Sequence, residues 1–235
     1  MKLTIRPAAK RGTADHGWLK ASYSFSFANY HNPSNIHFGA LRVLNDDIVA
    51  GAGGFPTHPH DNMEIVTIPL RGALQHKDST GGQGIIKSGD VQIMSAGTGV
   101  QHSEANASAT EDVNLLQVWV FPKEKNIKPS YDQRSFDVAA RKNKWQTVVS
   151  PLEADQALWI NQDAAFSLSQ IDAGAAVEYH NKFPGNLVYL FVIDGSITIN
   201  DQTLNKRDAL EISDTENFTV MAGTDASLLA IEIPQ

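Results

Sequence analysis

Apolar residues in this chain recur at every second position, in short runs closed by glycine turns, and that rhythm excludes a helical fold. Within residues 113–121, positions 113, 115, 119 and 121 are Val, Leu, Trp and Phe, and 116, 118 and 120 are apolar too. A run so rich in β-branched and aromatic residues reads as a strand buried on both faces. Residues 65–70, 84–86, 91–94, 187–193, 196–199 and 227–233 repeat the pattern. Arg71-Gly72, Gly81-Gly82, Ser88-Gly89-Asp90, Asp194-Gly195, Asn200-Asp201 and Ala222-Gly223 separate the runs as turns. Many short strands at close spacing predict an all-β sandwich or barrel. Helical pieces are expected only at 130–144 and 151–156.

The runs also form a degenerate repeat. The first half holds Glu64-Ile-Val-Thr-Ile-Pro-Leu-Arg-Gly72 and then Gly89-Asp90-Val-Gln-Ile-Met-Ser95. The second holds Leu187-Val-Tyr-Leu-Phe-Val-Ile-Asp-Gly195 and then Arg207-Asp208-Ala-Leu-Glu-Ile-Ser213. Each half runs an apolar strand into a glycine turn and later opens another strand with Asp, five residues before a Ser. A duplicated small β-barrel is the simplest architecture that fits, divided into residues 1–130 and 131–235. Residues 123–144 carry seven basic against three acidic side chains, which reads as a solvated linker, with a docking patch for an acidic partner as the alternative.

Composition limits the chemistry. Across 235 residues, 19 Lys and Arg against 26 Asp and Glu give a net charge of −7, unfavourable for bare phosphate backbones, so no direct nucleic-acid partner is expected. The longest apolar run, 187–193, is too short to span a membrane, and no secretory signal is visible, so a cytoplasmic location is expected. No heptad or apolar exposed helix suggests an obligate assembly, and a monomer is expected. Cysteine is absent. Disulfides, thiolate nucleophiles and Cys-built metal sites are thereby excluded, so any metal must be held by histidine and carboxylate.

Two clusters supply such groups. Gly53-Gly-Phe-Pro-Thr-His58-Pro-His60 is followed by Glu64, and Gly97-Thr-Gly-Val-Gln-His102-Ser-Glu104 comes later. On an extended chain residues i and i+2 share a face, so His58 projects with His60, and His102 with Glu104. A lone His-x-His is more often a surface or core feature than a ligand pair. Both motifs together, in matching β context, point to a divalent cation, since buried polar groups without partners are costly. Glu64 also lies at an even offset from His60, and spacing alone leaves open whether it or Glu104 is the carboxylate. His16, His31 and His37 fall in a loop-like stretch, and His76 reads as an exposed strand end. Counting from Gly195 and Asp208 puts Asn181, Phe183, Val220 and Ala222 at the matching positions of the second half. One metal per chain is expected.

These motifs resemble the pirin-like branch of the cupin superfamily, and particularly its bacterial quercetinase-type members. Further matches are Tyr23-Ser-Phe-Ser-Phe27 and His37-Phe-Gly-Ala-Leu-Arg42-Val-Leu-Asn45-Asp46. The similarity is strong over residues 15–122 and only an architectural echo beyond. It implies an all-β bicupin of two jelly-roll-type barrels, with a single metal in the N-terminal one. It also implies the ligand set His58, His60, His102 and Glu104, favouring Glu104 over Glu64. Three nitrogens and one oxygen suit Fe, Cu, Ni, Co, Mn or Zn. The implied activity is quercetin 2,3-dioxygenase-type ring opening of a flavonol by O2, with Glu104 as both ligand and catalytic proton acceptor. Phe55, Pro56 and Met63 are candidate pocket walls. The alternatives are a redox-sensing pirin-like regulator that binds a protein partner and a cupin isomerase or decarboxylase.

Overall fold

The computed structural model describes residues 1–235, whose regular elements are antiparallel strands and three one-turn 3-10 helices. The chain opens with β1 (Lys2–Arg6). The N-terminal unit then holds β2 (Gly12–Asp15), β3 (Leu19–Tyr23), β4 (Leu41–Val49), β5 (Gly54–His60), β6 (Glu64–Arg71) and β7 (Ala73–Asp78). It continues through β8 (Gln83–Lys87), β9 (Asp90–Ser95), β10 (Val100–Asn106), β11 (Val113–Val120) and β12 (Ser130–Ser135). These make a seven-stranded sheet, β12-β9-β6-β11-β4-β3-β2, and a four-stranded one, β5-β10-β7-β8.

The C-terminal unit repeats the plan. Its strands are β13 (Gln146–Val149), β14 (Ala165–Ile171), β15 (Ala176–His180), β16 (Leu187–Asp194) and β17 (Ser196–Ile199). The rest are β18 (Gln202–Asn205), β19 (Ala209–Ser213), β20 (Asn217–Ala222) and β21 (Ala226–Ile233). The sheets are β1-β19-β16-β21-β14-β13 and β15-β20-β17-β18. All seven apolar runs picked out by periodicity form strands, the run 113–121 ending one residue beyond β11. Each unit is thus a pair of antiparallel sheets, the all-β architecture that the repeat predicted.

The repeated punctuation has a physical basis. Gly72 and Gly195 both sit at positive φ, +77° and +82°, where L side chains are disfavoured. A Cβ at either would strike the backbone of the returning strand, Asp112–Val113 or Asp225–Ala226. Asp90 accepts a hydrogen bond from the Lys87 amide, and Asp208 one from the Asn205 amide, both at 2.9 Å. Each aspartate closes the turn that launches its strand.

Three expectations differ from the structure. The units divide differently from 1–130 and 131–235: residues 12–136 with 160–162 form one, and 1–11, 137–159 and 163–235 form the other. β1 pairs with β19 through all five of its residues. There Arg6 donates to both carboxylate oxygens of Glu211, at 2.8 and 3.0 Å, while the Arg11 guanidinium lies over the Phe191 ring. The basic stretch is not a free linker, because residues 130–135 form β12 on the edge of β9 rather than a helix. The helical expectation survives only as single 3-10 turns at Val138–Arg141, where Asp137 accepts from the Ala139 amide, and at Glu153–Asp155. Cross-strand hydrogen bonding to an open sheet edge outweighed local helix propensity there.

Candidate metal centre

β5 and β10 pair antiparallel, with His58 opposite His102 and His60 opposite Val100. The register slips where His102 and Glu104 face His58 and Phe55, so the extra residue lies on β5, and β10 stays regular against β7 with His102 and Glu104 on one face. On its other side β10 pairs with β7, setting Glu104 opposite His76. Two overlapping groups result, sharing His102. His58, His60 and His102 bring ligand nitrogens within 4.8 Å of one another, and His76, His102 and Glu104 form a second such group.

Glu64 stands apart. The chain bends at Asn62, which has positive φ, and Glu64 opens β6 in the other sheet. There it is fully buried, accepting from Ser95 Oγ at 2.7 Å and from the Asn161 amide at 3.2 Å. Even spacing from His60 fails as a guide because a turn intervenes. His76 is the opposite case, expected to be exposed but 1% accessible. Its Nε2 meets Asp78 Oδ2 at 2.9 Å, its Nδ1 faces His102 Nδ1 at 3.5 Å, and its ring stacks on Tyr131. The spacing His76-x-Asp78 on one strand was the available signal.

Burial sets the protonation states. Desolvation, reinforced by neighbouring imidazoles, lowers His60 to about 4 and His102 to about 3. Both rings are therefore neutral at physiological pH and offer lone pairs. His58 Nδ1 and Pro56 O are 2.8 Å apart, which leaves Nε2 free. Asp78 also accepts from Thr80 Oγ1 and from the amides of Thr80 and Gly82. Held this way it keeps the His76 Nε2 proton on its side, directs the His76 Nδ1 lone pair at His102 and leaves His102 Nε2 bare.

The residues present fit a metal ion. His58 Nε2 and His102 Nε2 stand 2.9 Å apart, and two nitrogens bound at right angles to one cation at 2.0–2.1 Å would be separated by about 3 Å. Glu104 is 3% accessible, with Oε2 accepting from Gln117 Nε2 at 2.9 Å, yet its Oε1 has no partner. Desolvation lifts this carboxyl to about 7, and hydrogen bonds from Gln117 and Thr67 hold it back from rising further. A cation would answer both the orphaned oxygen and the clustered lone pairs.

The cluster lies on the wall of a cavity of about 350 Å³. Leu19, Tyr23, Phe27, Phe55, Pro56 and Trp119 make its apolar lining, while Asn45, Asp47 and Gln117 add polar groups. Phe55 and Pro56 thus fall where expected. Met63 does not, packing instead with Ile65, Met94, Ala96 and Val100. Asp47 is pushed up to about 8 by desolvation, helped by Asp46 and Glu104.

The Pirin family model matches residues 4–120, and a model described as the quercetinase C-terminal cupin domain matches residues 147–233. A quercetin 2,3-dioxygenase of Escherichia coli K12 is 40% identical over 231 residues, 98% of both chains. A pirin-like protein of Caulobacter vibrioides is also 40% identical, over 97% of both. The crystal structure of the bacterial pirin YhhW from Escherichia coli in complex with nickel(II) superposes with a TM-score of 0.93 at 38% identity, covering 99% of each chain.

Proposed function

The chain belongs to the pirin family, and from that premise we propose that it is a metal-dependent dioxygenase opening the heterocycle of a flavonol such as quercetin. Both atoms of O2 enter the organic product and carbon monoxide leaves. The observation that carries this reading is the meeting of bare imidazole nitrogens and an unpartnered carboxylate oxygen on the wall of an aromatic-lined cavity. Relatives named quercetin 2,3-dioxygenase and a nickel-bound neighbour support it.

His58, His60, His102 and Glu104 would hold the ion. When bound, a divalent transition metal supplies Lewis acidity and positions beyond its four protein ligands. The protein's own groups do the rest. Tyr23, Phe27, Phe55 and Trp119 give a flat aromatic ligand apolar surfaces to pack against and exclude water around the reacting ring. Glu104, buried on the cavity wall with one oxygen held by Gln117, would accept the flavonol 3-hydroxyl proton. Gln117 keeps that carboxylate oriented, being itself fixed by the Thr67 hydroxyl at 2.9 Å.

Aerobic turnover of quercetin by metal-loaded protein, read as flavonol bleaching, oxygen uptake and carbon monoxide release, tests the proposal. Glu104→Gln and His58→Ala are expected to fall to the rate of the free metal salt. A wild-type rate no higher than that of the salt refutes the enzyme reading.

A further inference from the structure

The cavity's polar wall extends beyond the histidines. Asn45 and Asp47 sit two residues apart on β4, so they share a face, and both line the cavity. They are 2% and 5% accessible, and Asn45 Oδ1 and Asp47 Oδ1 have no hydrogen-bond partner. The neighbouring amide is engaged elsewhere: Gln117, opposite Asn45 on β11, accepts at its oxygen from Thr67 and donates from Nε2 to Glu104. A metal at the histidines would take Glu104 Oε1 and leave these two oxygens as they are. Buried polar oxygens without partners cost about 1–3 kcal/mol each, so a site that keeps two on one face is shaped for a ligand that brings hydroxyl groups of its own.

We propose that Asn45 and Asp47 form a hydroxyl-recognition subsite that selects polyhydroxylated aromatic ligands over equally flat ligands lacking phenolic hydroxyls away from the metal. The inference rests on the flavonol reading and adds what distinguishes one flavonol from another. The equivalent strand of the C-terminal unit, β14, gives an internal contrast. Following the strand pairings, Asn45 and Asp47 correspond to Ser167 and Ser169, opposite Ala230 and Leu228 where the first unit has Gln117 and Leu115. The same scaffold position thus accommodates small residues, and the larger acceptors belong to the unit with the cavity.

The test measures affinities of nickel(II)-loaded protein by quenching of tryptophan fluorescence. The probes are three flavonols that all keep the 3-hydroxyl: 3-hydroxyflavone, galangin and quercetin. Wild type is expected to bind galangin and quercetin more tightly than 3-hydroxyflavone. Asn45→Ser with Asp47→Ser, the pair the other unit already carries, should weaken the polyphenols about tenfold and leave 3-hydroxyflavone unchanged. Asp47→Asn, which keeps shape and an acceptor, should retain most of the preference and guards against a folding defect. If all three bind and the double variant keeps the wild-type order, or loses all three equally, the subsite is refuted while the flavonol reading stands. If none binds to wild type, the flavonol reading itself falls, and the subsite with it.

Discussion

The two units build nearly the same strands and fill them with opposite chemistry. Strand pairing makes the correspondence explicit: β5, β10 and β7 of the first unit match β15, β20 and β17 of the second. His58 faces His102, where the second unit sets Val177 against Val220. Val100 faces His60, where Phe218 faces Tyr179. Glu104 with His76 becomes Ala222 with Ile197. Thr67 and Gln117, which anchor Glu104, become Leu190 and Ala230. Counting back from the glycine turn had pointed to Asn181 and Phe183 as counterparts of His58 and His60. The register moves that match four residues earlier, because the loop before β16 is longer than the one before β6. In the second unit Tyr179 and Phe218 stack at 5.2 Å within one continuous apolar cluster. The lesson is that a barrel interior is either packed with hydrocarbon or kept polar and open, and the open version leaves carboxyl and imidazole groups short of partners.

Grafting a ligand into the filled unit is the harshest way to break the contrast. Val220→His places an imidazole at the His102 position among Tyr179, Phe218 and Val177, with no partner waiting. We expect a loss of about 2–4 kcal/mol, measured by denaturant unfolding. A neutral result would show that this interior is as accommodating as the other. The converse exchange sharpens it from the polar side. His76→Ile, the residue the second unit carries, removes the group that fixes the His102 ring. Metal affinity in a competition titration should fall about 10–100-fold, while Tyr131→Phe, which keeps the stack on His76, should leave it near wild type. The smallest effect is a difference in pH response. Burial raises Glu104 and Glu64 to about 7 and Asp47 to about 8. Their native forms hold protons that the unfolded chain releases near pH 4, so stability is lost as pH rises through those values. His60 and His102 are lowered and act with the opposite sign, losing stability as pH falls below about 6.5. Between pH 6.5 and 8.5 only the carboxyls remain in play, and metal-free protein should lose stability in thermal unfolding. Glu64→Gln should flatten that decline. A metal-free protein equally stable at both ends would contradict the raised carboxyls.

Much of the architecture was readable because a strand's side-chain period and a turn's positive-φ glycine are local properties. The runs at 65–70 and 187–193, Gly72, Gly195, Asp90 and Asp208 each announced themselves within a few residues. His58-x-His60 and His102-x-Glu104 were legible for the same reason, as pairs on one face of one strand. On β15 the same alternation leaves His180 exposed beside Glu178 while Tyr179 is buried. Residues 130–135 misled, since their partner β9 lies far away in sequence and nothing nearby signals an open edge.

What the chain determined by itself was its alphabet: no thiol, period-two strands, two punctuated halves, and a pair of short motifs bearing imidazole and carboxylate. Only the tertiary structure decided which groups meet. It sent Glu64 into a different sheet from His60, brought His76 in behind His102, and set Asn45, Asp47 and Gln117 around Glu104. The physical reason is that spacing fixes the face a side chain occupies along its own strand, whereas the neighbours across that face come from whichever strands pair or pack against it.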